Sequence, residues 1–197
     1  GSKGVPRKNV RMLAGKPLIA HAIAHAIETA GTRDRNEISK TFSREAWRRL
    51  EPAYETAVNN PADNDARAMM LLGAHLAGAA IEASMLGAAH ACANPLTSRC
   101  NLIHGLAVGL MLPHVVRFNA ADGHNPYADI CDAPDLAARI EALLDAGHLP
   151  RRLSDCGVNR AILPTLAAEA SKQWTASFNP KPVTPEQLLQ IYQSAFE

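Results

Sequence analysis

Residues 66–119 read ARAMMLLGAHLAGAAIEASMLGAAHACANPLTSRCNLIHGLAVGLMLPHVVRFN, and this stretch decides the fold. It is apolar, rich in Ala, Leu and Gly, and too long for a strand, so helix is the only regular structure that fits it. The run from Met69 to Ala93 is long enough to raise the question of a membrane span. His75, Glu82, Ser84 and His90 interrupt it, and Gly73, Ala77, Ala80 and Gly87 recur through it. It therefore reads as the buried central helix of a soluble bundle, with no membrane involved.

Helical punctuation extends outward on both sides. Pro17 suits the first turn of a helix to about Ala30, and GTRDRNEISK reads as a polar loop. Ser43 can cap a helix to Asn59, with Glu45 in its first turn. Asn60-Pro61 breaks the chain, and Asp63 or Asn64 starts the long helix to Ala93, which Asn94-Pro95 is expected to end. The next helix spans about His104 to Asn119, and the turn-rich ADGHNPYADICDAP follows. Three further helices are expected at about 135–146, 160–175 and 184–196, the last opened by the capping pattern Thr184-Pro185-Glu186-Gln187. No run alternates as a strand does, so the fold class is all-α.

Composition narrows the function. A formal net charge of +1 argues against strong attraction to nucleic acid or an anionic membrane. Cys92, Cys100, Cys131 and Cys156 form no CxxC pair, which reads as reduced and cytoplasmic. The N-terminus is basic and Gly-rich, without the apolar core of a signal peptide.

Histidine carries the chemistry. His21 and His25 lie four apart in LIAHAIAHAIET, which places both on one helix face. His90 and His104 bracket the turn-bearing HACANPLTSRCNLIH, which can fold them toward each other. Neutral imidazole is a common ligand of divalent transition metals. Spacing alone leaves two readings open: a metal site, or the hydrogen-bonded core histidines usual on apolar helices.

From about Ala24 to Glu197 the chain resembles the C-terminal helical domain of the iron-containing alcohol dehydrogenases, including their maleylacetate reductase branch. AHAIET (24–29), FSREAW (42–47), the stretch 66–119 and FNPKPVTPEQLL (178–189) carry the resemblance. It implies a divalent iron, sometimes zinc, held by one Asp and three His: Asp-x3-His on one helix, then two histidines fourteen positions apart. His25, His90 and His104 fall on the three histidine positions. His21 stands where the family has Asp. An all-histidine site would hold hard Fe(II) less well and favour zinc, nickel or copper; alternatively His21 points away and leaves three ligands plus water. Asn94 falls where the family often has a His beside the substrate. It could hydrogen-bond a substrate oxygen as part of the catalytic site, or it could simply cap a helix before Pro95.

Residues 1–16, GSKGVPRKNVRMLAGK, differ from the helical remainder, 17–197. No strand, Gly-rich turn and helix precede Pro17, so NAD(P) binding is not expected of this chain. Residues 1–23 resemble instead the start of cytidylyltransferases that activate acidic sugars, such as CMP-sialic acid synthetases. That resemblance implies Ser2, Lys3, Arg7, Lys8 and Asn9 as nucleotide contacts. A phosphate loop without its α/β scaffold is not preorganised, so a basic leader rather than transferase activity is expected. The chain reads as a junction of two unrelated sequences, a chimera truncated of its nucleotide-binding domain, with the seam near 17–24 and His21 on the transferase side.

Three functions follow as expectations. The first is a metal-binding protein of oxidoreductase lineage, acting on a small molecule but unable to transfer hydride alone. The second is a metal-dependent hydrolase of an activated ester or lactone. The third is a non-catalytic helical domain. A homo-oligomer is expected, because loss of a domain leaves an apolar face uncovered.

Overall fold

The computed structural model describes residues 17–131 and 136–197. The leader, with Ser2, Lys3, Arg7, Lys8 and Asn9, lies outside them. Eight α-helices and three short 3-10 turns make up the regular structure of the described residues, which contain no strand. In chain order the helices are α1 Pro17–Gly31, α2 Glu37–Asn59, α3 Asn64–Ala83, α4 Ala88–Cys100, α5 His104–Ala120, α6 Leu136–Ala146, α7 Leu163–Ala170 and α8 Pro185–Phe196.

α2 and α3 form an antiparallel hairpin, and α1 packs against both. α5 is the central helix, in contact with α1, α4, α6 and α8. Residues on every side of it are buried, from Ala107 and Val108 to Val115 and Val116, as a helix apolar all round requires. α7 and α8 pack on each other and close the far side over α4 and α5. The Tyr192 hydroxyl donates to the Cys92 carbonyl at 2.6 Å and ties α8 to α4. The four cysteines are free thiols.

Two helix starts differ from expectation, each because a better buried partner wins. α2 begins at Glu37, not after Ser43. Asn36 caps it by accepting from the Ile38 and Ser39 amides, and Ser39 returns the bond to the Asn36 amide. Glu37, not Glu45, is the acidic residue of the first turn. Ser43 is buried within the helix, 2.8 Å from the Thr29 hydroxyl, and joins α2 to α1.

The expected long helix from Asp63 to Ala93 is two helices, α3 and α4, bent by 105° at residues 84–87. The Asn36 side-chain amide donates to the Ala83 carbonyl at 2.6 Å, at the end of α3. Buried acceptors then take the first amides of α4: Glu28 those of Gly87 and Ala89, and Asn179 that of Ala88. Gly87 stands so close that a Cβ there would lie 3.1 Å from both the Asn179 and Glu28 oxygens.

Asn94-Pro95 does not stop α4, which runs through to Cys100 and ends at Asn101 in the left-handed region with φ 55°. A helix-interior proline costs about 3 kcal/mol. The fixed N-terminus and the full burial of Leu96 offset that cost here. The expected helix over 160–175 is a 3-10 turn at Arg160–Ile162, then α7, then a second 3-10 turn at Trp174–Phe178. Among the described residues no single helix is long and apolar enough to cross a membrane.

Candidate metal centre

α1 is the first wall of the site. Its Ala22, Ile23, Ala26, Ile27 and Ala30 are buried in the core. The same helix carries His21, His25 and Glu28 at i, i+4 and i+7, one stripe of ionisable side chains on a largely apolar helix. The elbow between α3 and α4 brings His90, in the first turn of α4, onto that stripe. α5 starts at His104 and supplies the fourth imidazole.

The four rings form one cluster. Centroids are 4.0 Å apart for His21 and His25, 5.1 Å for His25 and His90, 5.2 Å for His21 and His104, and 5.5 Å for His90 and His104. His21, His90 and His104 each offer a nitrogen within 4.8 Å of the other two. This is the one group of three such donors found among the described residues. His25 lies against His21 and stacks on His90 beside that trio. The Nε2 atoms of His21 and His90 are 3.3 Å apart. Two nitrogens bound tetrahedrally at about 2.0–2.1 Å stand about 3.3 Å apart, so this edge fits a shared ion.

The rings are held in the protonation state that metal binding needs. Burial, then the neighbouring His90 and His104, lowers the His21 pKa to about 3. Burial, then His21, His90 and His104, lowers that of His25 to about 2. Burial and His90 lower that of His104, against the pull of Glu28. Near neutral pH these three rings are uncharged and keep a lone pair. The donor set fits a divalent cation of borderline softness; it offers no anionic oxygen among the three nitrogens, where a hard ion would be favoured.

Two side chains that sequence reasoning missed orient the rings. Glu28, 3% exposed, is hydrogen-bonded through Oε2 to His90 Nδ1. The Thr97 hydroxyl lies 3.2 Å from His104 Nδ1. Such partners fix the rotation of a ligand ring and leave its other nitrogen toward the ion. Glu28 was legible as the third member of the stripe, seven after His21. Thr97 was legible only as the residue two helical turns beyond His90.

Asn94 is on α4 one turn after His90. Its amide donates to Gln173 Oε1 at 2.9 Å. It lines an open cleft of about 350 Å³ with Pro95, Ser98, Glu169, Lys172 and Gln173. It caps no helix end, because α4 continues past it. The other histidines stand apart: His75, His124 and His148 are exposed, and His114 lies mid-α5 beside Arg117.

Comparison with known proteins bears on the fold that carries this cluster. The model of the Fe-containing alcohol dehydrogenase family, C-terminal, matches residues 20–196. The chain is 31% identical to 1,3-propanediol dehydrogenase of Citrobacter freundii over 189 residues, which cover 89% of this chain and 49% of that protein. It is 30% identical to lactaldehyde reductase of Escherichia coli K12 over 190 residues, with the same coverage. The crystal structure of a 1,3-propanediol oxidoreductase superposes with a TM-score of 0.86 at 28% identity, over 91% of this chain and 51% of that one. The chain thus spans about half the length of the relatives it matches. A family match over nearly all of the helical part, with the fold to go with it, places this chain in the Fe-containing alcohol dehydrogenase family, as a form of its C-terminal helical domain.

Proposed function

We propose that this domain binds a divalent metal through His21, His90 and His104, with His25 beside them, and serves an alcohol or aldehyde oxidoreductase. The observation that carries the reading is the convergence of three imidazole nitrogens within 4.8 Å, from three separate helices. A bound ion of this kind supplies Lewis acidity toward an alcohol or carbonyl oxygen. The chain's own residues do the rest. Glu28 and Thr97 hold the His90 and His104 rings, and burial favours the uncharged forms of His21 and His104. Asn94, one turn after His90, lines a cleft with Gln173, and its half-buried amide would have to leave Gln173 to donate to a substrate oxygen. The named activities of the relatives, on propanediol and lactaldehyde, point to a small alcohol or aldehyde as substrate.

Imidazole at position 21 favours zinc, nickel or copper over Fe(II) in this reading. The described residues carry no strand and Gly-rich turn of the kind that binds a dinucleotide, so in this reading they do not supply the nicotinamide site. The family match begins at residue 20 and gives the cytidylyltransferase resemblance of the leader no support.

Metal analysis of the purified protein tests the reading. About one equivalent of metal per chain is expected, with zinc displacing iron in competition. A protein that takes up no divalent metal overturns it. NADH titration followed by fluorescence tests the second part: no saturable binding is expected, and tight binding overturns it.

A further inference from the structure

Glu28 does two jobs with its two oxygens. Oε1 accepts from the Gly87 amide at 3.2 Å and the Ala89 amide at 2.8 Å, which fixes the elbow into α4. Oε2 meets His90 Nδ1. Both side chains are nearly sealed from solvent, at 2% exposure for Glu28 and 5% for His90. A carboxylate only accepts hydrogen bonds. Its partner nitrogen must therefore donate, so the neutral His90 ring carries its proton on Nδ1 and its lone pair on Nε2. The Nε2 side is where His21 Nε2 stands, 3.3 Å away.

We infer that Glu28 is the positioning residue of the centre: it selects the His90 tautomer whose Nε2 can bind metal, and it does so through the carboxylate that caps α4. This inference rests on the proposed metal reading for its consequence, but the tautomer itself exists without metal. In the metal-free protein His21 Nε2–H donates to the His90 Nε2 lone pair.

The substitution Glu28→Gln separates the two jobs. The two backbone amides of Gly87 and Ala89 are fixed donors, so the glutamine oxygen must face them. Its NH2 then faces His90 Nδ1, which has to accept. The ring proton moves to Nε2, where it donates to His21 and occupies the position a metal would need. The cap survives while the ligand is lost.

The test combines long-range 1H–15N spectra of the histidine rings in metal-free protein with calorimetric titration of zinc. The wild type is expected to show His90 with its proton on Nδ1. Glu28→Gln is expected to show it on Nε2, with zinc affinity lower by about 10- to 100-fold, the usual effect of losing such a partner. A wild-type His90 protonated on Nε2 overturns the inference, whether or not the variant folds. So does a Glu28→Gln protein with the proton still on Nδ1, or one that binds zinc as tightly as the wild type. If the tautomers switch as stated and neither protein takes up zinc, the role of Glu28 in setting the tautomer stands and the metal reading falls.

Discussion

The α2–α3 hairpin and the histidine cluster are built on opposite terms. In the hairpin, Ala66, Met70, Gly73, Ala77 and Ala80 of α3 form one buried stripe at helical spacing against Ala46, Leu50, Ala53 and Ala57 of α2. Contact is apolar and between chain neighbours, joined by a four-residue connection. In the cluster, ionisable side chains from α1, α4 and α5 meet from positions as far apart as His21 and His104. His90 and Glu28 are buried, and His21, His25 and His104 are half-buried around them. The hairpin needs only shape. The cluster needs shape, proton placement and a bend between α3 and α4. A family can keep the first by pattern alone, whereas the second depends on single side chains.

The largest effect that separates the two is expected from His104→Ala. Removal of a ligand should weaken zinc binding by more than the roughly 100-fold upper range for an outer partner. The melting temperature of the metal-free protein should change little, because the half-buried ring is held by the Thr97 hydroxyl and the edges of the His21 and His90 rings rather than by the apolar core. Unchanged zinc affinity in titration calorimetry breaks the assignment of His104. His21→Asp is the sharper companion. It restores an anionic oxygen and should shift competition between Fe(II) and zinc toward iron.

Gly73→Val works from the other side. A Cβ at this position would lie 2.6 Å from Leu50 Cγ and 3.2 Å from the Ala46 carbonyl. Leu50 is fully buried and has no room to turn away. Overpacking of this kind costs about 1–3 kcal/mol, measurable as a lower denaturant midpoint. Zinc affinity of the folded protein should stay at the wild-type value; a parallel loss would show that the two regions are one unit.

Acid should act on the cluster and on His114 of α5, whose pKa burial lowers to about 4. In the unfolded chain the histidines take up protons near pH 6.5, while the folded cluster resists to about pH 3 for His21 and about pH 2 for His25. Between these limits the unfolded state binds more protons, so stability rises with pH. The stability these rings contribute is full above about 6.5 and is lost as pH falls toward 3. Thermal melts of metal-free protein should show that decline, and a flat profile from pH 6.5 to 4 would contradict it. The smallest effect is expected from Arg139→Ala. Its ion pairs with Glu51 and Glu55 join α6 to α2 at the surface, and such pairs contribute no more than about 1 kcal/mol to a denaturant midpoint.

Much of the fold was legible because helix formation leaves a local trace. The all-helical class, the ends of α1 and α3 at Pro17 and Asn64, and the Thr184 capping box of α8 follow from residues a few positions apart. Misread ends had distant causes. Ser43 is a good cap by type, but Asn36 has two free amides to take and Ser43 is drawn into the contact with Thr29. Asn94-Pro95 is a good stop, but burial of Leu96 carries the helix through it. At the site, the stripe His21, His25, Glu28 is visible in α1 by period. That His90 would arrive there is not, since it requires the elbow set by Glu28, Asn36 and Asn179.

By itself the sequence determined that this chain is helical, that its core is closely packed and rich in alanine, and that His21 and His25 share a face. These are consequences of a 3.6-residue period and of side-chain type, which act within a few turns. Only the tertiary structure decided which histidines meet, and on which nitrogen their partners bear. A buried carboxylate reaching from α1 to α4 bends the chain and meets the ring at once. No local pattern records a bond between residues 62 positions apart.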